Sequence, residues 1–205
     1  AQTYSFKEIK SISILAPNDS SFLIFNWNIP WSDGTFNYEC GILIRKNNSE
    51  VPFYFLNDTS IHFDQIEQVV LSDRKWIPSL FYKLIETQNN FQTYYTLLAW
   101  DGNNVLTNKK RIEVLWFDKL GEPRFGAPIF KYANSETRSR LIFEYGGQNR
   151  MKLQFNANLN RIEYDHLSPS SNNLIGVYEY YGADLSFDGF ISVSYTHLRA
   201  HETRG

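Results

Sequence analysis

The chain has 205 residues, with 20 basic and 22 acidic side chains for a net charge of −2, one cysteine, and an aromatic content of 17%. Such a balance, without a basic cluster, excludes the electrostatic footprint of a nucleic-acid binder and the polybasic or basic amphipathic segment of a membrane-surface protein. No apolar run approaches transmembrane length, and Cys40 stands alone, so no intrachain disulfide can form.

The first residue is Ala1, and the one methionine is Met151. Ala1-Gln2-Thr3 suits a mature chain left after signal peptidase has cut behind a small residue; a chain broken at this end is the alternative. Alternating apolar and polar positions then predict a strand from Phe22 to Trp27. Asp33-Gly34 supplies a turn before a second strand from Phe36 to Ile44, which carries Cys40 as a buried core thiol. Asn47 to Glu50 turn the chain into a strand from Val51 to Leu56. Asp58 or Thr59 could cap one short helix whose face carries Phe63, Ile66, Val69 and Val70, and Pro78 argues against a longer one.

From Leu80 the pattern is extended again, through Glu86. Tyr94 to Trp100 and Arg111 to Phe117 follow, the first ending in Asp101-Gly102-Asn103-Asn104 and the second in Asp118 to Pro123. The first of these connections resembles a calcium loop in composition, but it lacks alternating ligands and a terminal glutamate; a tight hairpin using positive backbone angles at Asp-Gly is the better reading. Arg140 to Tyr145, Arg150 to Phe155 and Arg161 to Leu167 complete the series, with Ile162, Tyr164 and His166 sharing a face. Repeated short strands at this spacing predict a mainly β fold: an antiparallel meander forming a sandwich or barrel-like sheet, with at most one or two short helices. Residues 1–192 read as a single β-rich domain.

Val193 to Thr203 back-translate, in one frame, to a transposase-based sequencing-library adapter, so residues 193–205 are expected to be an artefact and the domain truncated. Setting them aside removes Arg199, Arg204 and Glu202 and moves the net charge to −3. It also removes His197 and His201, the one pair at helical spacing that could pass for a metal site.

Candidate chemistry is sparse. Asp165 and His166 with Ser168, Ser170 and Ser171 are the ingredients of a nucleophilic triad, but adjacent strand residues point to opposite faces, and no strand-turn-helix elbow carries any of these serines. His166 is expected half-buried on its strand. His62 and His166 have no companions at ligand spacing, so no metal and no cofactor is expected. Gly146-Gly147 lacks the spacing and lysine of a phosphate loop. The stretch Tyr178, Glu179, Tyr180, Tyr181, Gly182, Ala183, Asp184 through Asp188 concentrates aromatics and carboxylates. Tyr178, Glu179, Tyr180, Tyr181, Asp184 and Asp188 are therefore the candidate ligand-binding residues, as in a carbohydrate-binding surface or a glycosidase cleft with paired carboxylates.

Tyr94 to Asn104, Gly121 to Gly126, Phe143-Glu144-Tyr145, Asp165 to Pro169 and Tyr178 to Phe190 together resemble a family of uncharacterised exported bacterial proteins, and Trp27 and Asp33 to Tyr38 fit the same pattern more loosely. The resemblance covers most of the chain. It implies an exported, periplasmic or surface-associated protein with no catalytic residues to carry over. The expected function is a binding or structural module of the cell envelope with a protein or glycan partner, not an enzyme. The alternative is a carbohydrate-active hydrolase using carboxylates of the Tyr-rich strand.

Overall fold

Two kinds of strand build this protein: some alternate apolar with polar residues, and others are apolar on both faces. The second kind decides the architecture, because a strand buried on both faces needs a layer above and a layer below it. The computed structural model describes residues 11–45, 52–57, 65–88, 92–131, 136–194 and 197–203. Within them it is mainly β, with antiparallel sheets in sandwich-type packing and no helix of seven residues or more. No helix among the described residues is long and apolar enough to cross a membrane.

The first sheet is a simple meander of β1 (Ser13–Leu15), β2 (Phe22–Pro30), β3 (Phe36–Ile44) and β4 (Phe53–Leu56), in that order. The central sheet holds β5 (Leu71–Ser72), β6 (Leu80–Gln88), β7 (Thr93–Asp101), β8 (Thr107–Phe117) and β9 (Pro123–Phe125) in the order β5-β9-β8-β7-β6. Two strands share the far edge of β8: β9 pairs near Leu115, and β12 (Leu141–Gly146) pairs from Ile112 back to Thr107. The third sheet comprises β10 (Phe130–Lys131), β11 (Thr137–Arg138), β13 (Leu153–Asn156), β14 (Arg161–Pro169), β15 (Tyr181–Ser194) and β16 (His197–Thr203). Its order is β11-β10-β16-β15-β14-β13.

The central sheet separates two cores. Tyr95, Leu97 and Ala99 of β7 pack with Phe22, Ile24, Cys40, Ile42 and Leu56 of the first sheet. Leu98 of β7, with Ile112 and Val114 of β8, packs instead with Leu153, Ile162, Tyr164 and Phe190 of the third sheet. Successive side chains of a strand point to opposite faces, so Leu97 and Leu98 are neighbours in sequence and belong to different cores. Burying each such side chain stabilises the fold by about 1.5–3 kcal/mol.

The helix expected after Asp58 does not form over its described part: residues 65–68 make a turn, and its capping residues and Phe63 lie outside the described residues. His62 and the Asn47–Glu50 turn also lie outside them. The Asp101–Asn104 segment departs from a tight hairpin. Five residues separate β7 from β8, and the positive backbone angle falls on Asn103 (φ 36°) and not on Gly102. Gly102 is needed for space, since a Cβ there would run into the Phe36 ring. Residues 197–203, read from the sequence as adapter, form β16, antiparallel to β15 and parallel to β10. An open strand edge presents unpaired N–H and C=O groups with which an extended segment can pair.

Candidate functional site

The connection between β14 and β15 carries the Tyr-rich segment. Pro169 is the last paired residue of β14, and the chain is folded back by two single turns of 3-10 helix, Asn172–Leu174 and Tyr178–Tyr180. The loop closes where the Ser170 amide donates to the Tyr180 carbonyl at 3.0 Å. Gly176, at φ 87°, takes a backbone angle that L-residues avoid, and its amide donates to the Tyr181 hydroxyl at 3.0 Å. The loop docks on the end of β12: a Cβ at Gly146 would collide with the Glu179 carbonyl oxygen. Asn149 ties the far side by donating to the Tyr181 carbonyl at 2.7 Å.

This scaffold leaves Tyr178 (45% exposed) and Tyr180 (46%) turned to solvent. The Tyr178 and Tyr181 rings lie 5.1 Å apart, centroid to centroid, at an interplanar angle of 50°. Glu179 stays with the loop. Its carboxylate accepts from the Tyr180 phenol, and that bond together with the negative charge raises the phenol's pKa. The three tyrosines thus form a partly exposed aromatic surface, and β15 begins only at Tyr181.

Further along β15 the ladder breaks. Asp165 faces Phe187, but Leu167 faces Ala183, so residues 184–186 bulge out opposite His166. Leu185 at the crest has φ 73° and is 91% exposed, a conformation uncommon outside glycine. The bulge re-aims two carboxylates onto one ring. His166 Nδ1 donates to Asp188 at 2.8 Å, and Nε2 lies 3.9 Å from Asp184. The His166 side chain is 44% exposed, Asp184 34% and Asp188 17%. Asp184 also accepts from the Ser186 hydroxyl at 2.6 Å and its amide at 3.0 Å. These bonds, with attraction to His166, hold its carboxyl below the usual range.

The structure therefore unites Asp184 and Asp188 through His166, and Tyr178 with Tyr181, while Glu179 stands outside the carboxylate cluster. Asp165 is not the partner of His166: its carboxylate accepts the Lys152 amide at 2.7 Å. His166 is partly buried, as its place on a strand suggests. The His166–Asp188 pair was missed because the two are 22 residues apart and meet only through the bulge. Acidic residues four apart on a strand paired with a histidine-bearing one are the available signal. Cys40 is fully buried, and burial pushes its thiol well above its ordinary pKa. Among the described residues no group of three or more histidine, cysteine, aspartate or glutamate side chains could hold a metal ion.

Chemically, the surface offers aromatic faces on the β14–β15 connection and charged acceptors on the adjoining part of β15. Asp184 is three residues beyond Tyr181 on β15, roughly 10 Å at about 3.3 Å per residue. Comparison with family models, with curated proteins and with solved structures finds no match to this chain.

Proposed function

We propose that this chain is an exported, non-enzymatic β-rich module of the cell envelope that binds a glycan through the β14–β15 connection. The observation that carries this reading is the solvent-facing pair Tyr178 and Tyr180 on the β14–β15 connection, with the Asp184–His166–Asp188 cluster on the two strands that it joins. Aromatic faces stack on the apolar face of a sugar ring, and carboxylates accept from its hydroxyls. Asp184 and Asp188 as a hydrolytic pair is the second reading, favoured by their convergence on one ring. It has less support, because the imidazole stands between the two carboxylates where a glycosidic bond would have to lie. Residues 193–205 are taken as translated adapter, and sequencing the source DNA across codon 193 tests this.

The deciding experiment probes immobilised envelope polysaccharides with the protein, in parallel with assays for released reducing ends. Retention that is lost in Tyr178→Ala/Tyr180→Ala, with no product released, is expected. Turnover of any glycan would reject the non-enzymatic reading, and retention unchanged in the double variant would reject this surface.

A further inference from the structure

The tyrosine surface does not stop at the β14–β15 connection. Three further connections adjoin it at the same end of the molecule: residues 147–152 between β12 and β13, 102–106 between β7 and β8, and 31–35 between β2 and β3. They touch in a row. The Glu179 carbonyl packs on Gly146, and the Gly147 amide donates to the Leu106 carbonyl at 2.7 Å. A Cβ built on Gly34 would lie 3.8 Å from Val105 Cγ2. All of these residues precede Val193.

What these connections expose is apolar. Trp31, Val105, Leu106 and Ile175 are each more than half exposed, Ile175 the most at 71%, and Val177 is exposed as well. Ile175 and Val177 flank Gly176, whose Cβ position has no neighbour within 4 Å, so this crest stands clear of the body. An apolar patch shared by adjoining loop tips marks an interaction site. A glycan alone does not account for it: branched aliphatic side chains offer neither a π face to a sugar ring nor a hydrogen bond to a hydroxyl. Nor does an anionic surface, since Asp33 and Glu179 offset Arg150 and Lys152 across the four connections.

We propose that the glycan bound here is carried on a lipid, and that these tips enter the interfacial layer of the membrane that displays it. Tyr178 and Tyr180 meet the sugar headgroups, and Trp31 lies at headgroup level, where indole rings concentrate. Val105, Leu106, Ile175 and Val177 bury their side chains at the boundary with the acyl chains, and the area so buried sets the strength of attachment. This inference rests on the glycan reading of the tyrosine surface and adds where that glycan is displayed. With the charges on the tips balanced, attachment depends on apolar burial and sugar contacts and not on anionic lipid.

The test uses phosphatidylcholine vesicles that display the polysaccharide retaining the protein, coupled to phosphatidylethanolamine, beside the same polysaccharide in solution and vesicles of phosphatidylcholine alone. Co-sedimentation of the intact chain is expected to show saturable binding to the displayed glycan, tighter than to the soluble one or to plain vesicles by about tenfold or more. Val105→Ser/Leu106→Ser is expected to remove that advantage while leaving affinity for the soluble polysaccharide unchanged, and thermal melts verify that it folds. Brominated phosphatidylcholine in the vesicles is expected to quench tryptophan emission of the parent, and to lose that effect in Trp31→Phe. Equal affinity for displayed and soluble polysaccharide, or an advantage kept in full by the folded Val105→Ser/Leu106→Ser, overturns this inference and leaves the glycan reading standing. Binding to the displayed glycan kept in full by Tyr178→Ala/Tyr180→Ala, or equalled by plain vesicles, overturns it from the other side by removing the glycan reading beneath it. A dimer in solution that Val105→Ser/Leu106→Ser abolishes would also overturn it, by giving the patch to a second copy of the chain.

Discussion

Arg140 donates from Nε to Glu113 at 2.8 Å, and the two side chains are 0% and 2% exposed. The rest of the guanidinium is equally committed: it donates to the carbonyls of Ile66, Val69 at 2.8 Å and Phe125 at 3.0 Å. Glu113 in turn accepts the Val114 amide at 3.0 Å. One buried arginine thus joins β8, β9 and the turn before β5.

Removing either partner leaves an uncompensated buried charge. Arg140→Met or Glu113→Leu is expected to cost about 3–5 kcal/mol. The double variant should recover little of this, because three carbonyls lose their donor. Urea denaturation of the three variants checks it, and full recovery in the double variant would show the carbonyl bonds to be unimportant.

Asn26 plays a comparable part between the first two layers. It is wholly buried on β2, donates to the Glu39 carbonyl at 2.9 Å, and accepts the Phe81 amide at 2.5 Å on β6. Asn26→Leu strands that amide, for an expected loss of about 1–3 kcal/mol. Faster hydrogen exchange at Phe81 than at Leu98 would localise the effect.

Cys40 should resist thiol reagents in the native protein, because burial both blocks access and keeps the thiol protonated. Labelling is expected only on unfolding, so its rate reports the stability of the first core. Rapid native labelling would contradict the packing around β3.

The bulge opposite His166 should loosen in acid. The Asp184 carboxyl is depressed below its ordinary 3.8, first through the Ser186 hydroxyl and amide and then through His166. A depressed carboxyl contributes its stability in full above the unfolded value and loses it as pH falls through the folded one. Exchange of the Ser186 amide is therefore expected to accelerate below about pH 4, and Asp184→Asn should remove that dependence. A parent profile flat to pH 2 would contradict it.

Strands with one wet face were legible almost residue by residue: Phe36–Ile44 matches its period-2 pattern at both ends. In Thr93–Asp101 the run Tyr95 to Ala99 is buried throughout, so the strand was recognisable while its two-sided burial, and hence the third layer, was not. Pairs as short as Phe130–Lys131 carry no period at all. Pro123–Phe125 looked like turn because of Gly121 and Pro123, yet Pro123 is tolerated at the first position of its strand. At the candidate site the residue types were legible and the partnerships were not. Asp184, Asp188 and His166 meet through a two-residue excess in β15, which depends on how the strands align rather than on local composition.

That alignment raises a problem for the central sheet. Where a strand has a wet face, sliding it by one residue throws apolar side chains into water, and the penalty locks the pairing. β7 and β8 have no such lock, since a slip would merely exchange Leu97 and Leu98 between two oily compartments. What such a slip could not carry along is the buried polar set. Glu113 must meet Arg140, and Arg111 must reach the Ile77 carbonyl at 2.9 Å. These side chains act as keys cut for a single alignment, so replacing them all with apolar residues of equal volume should yield a protein that still collapses but no longer chooses one pairing.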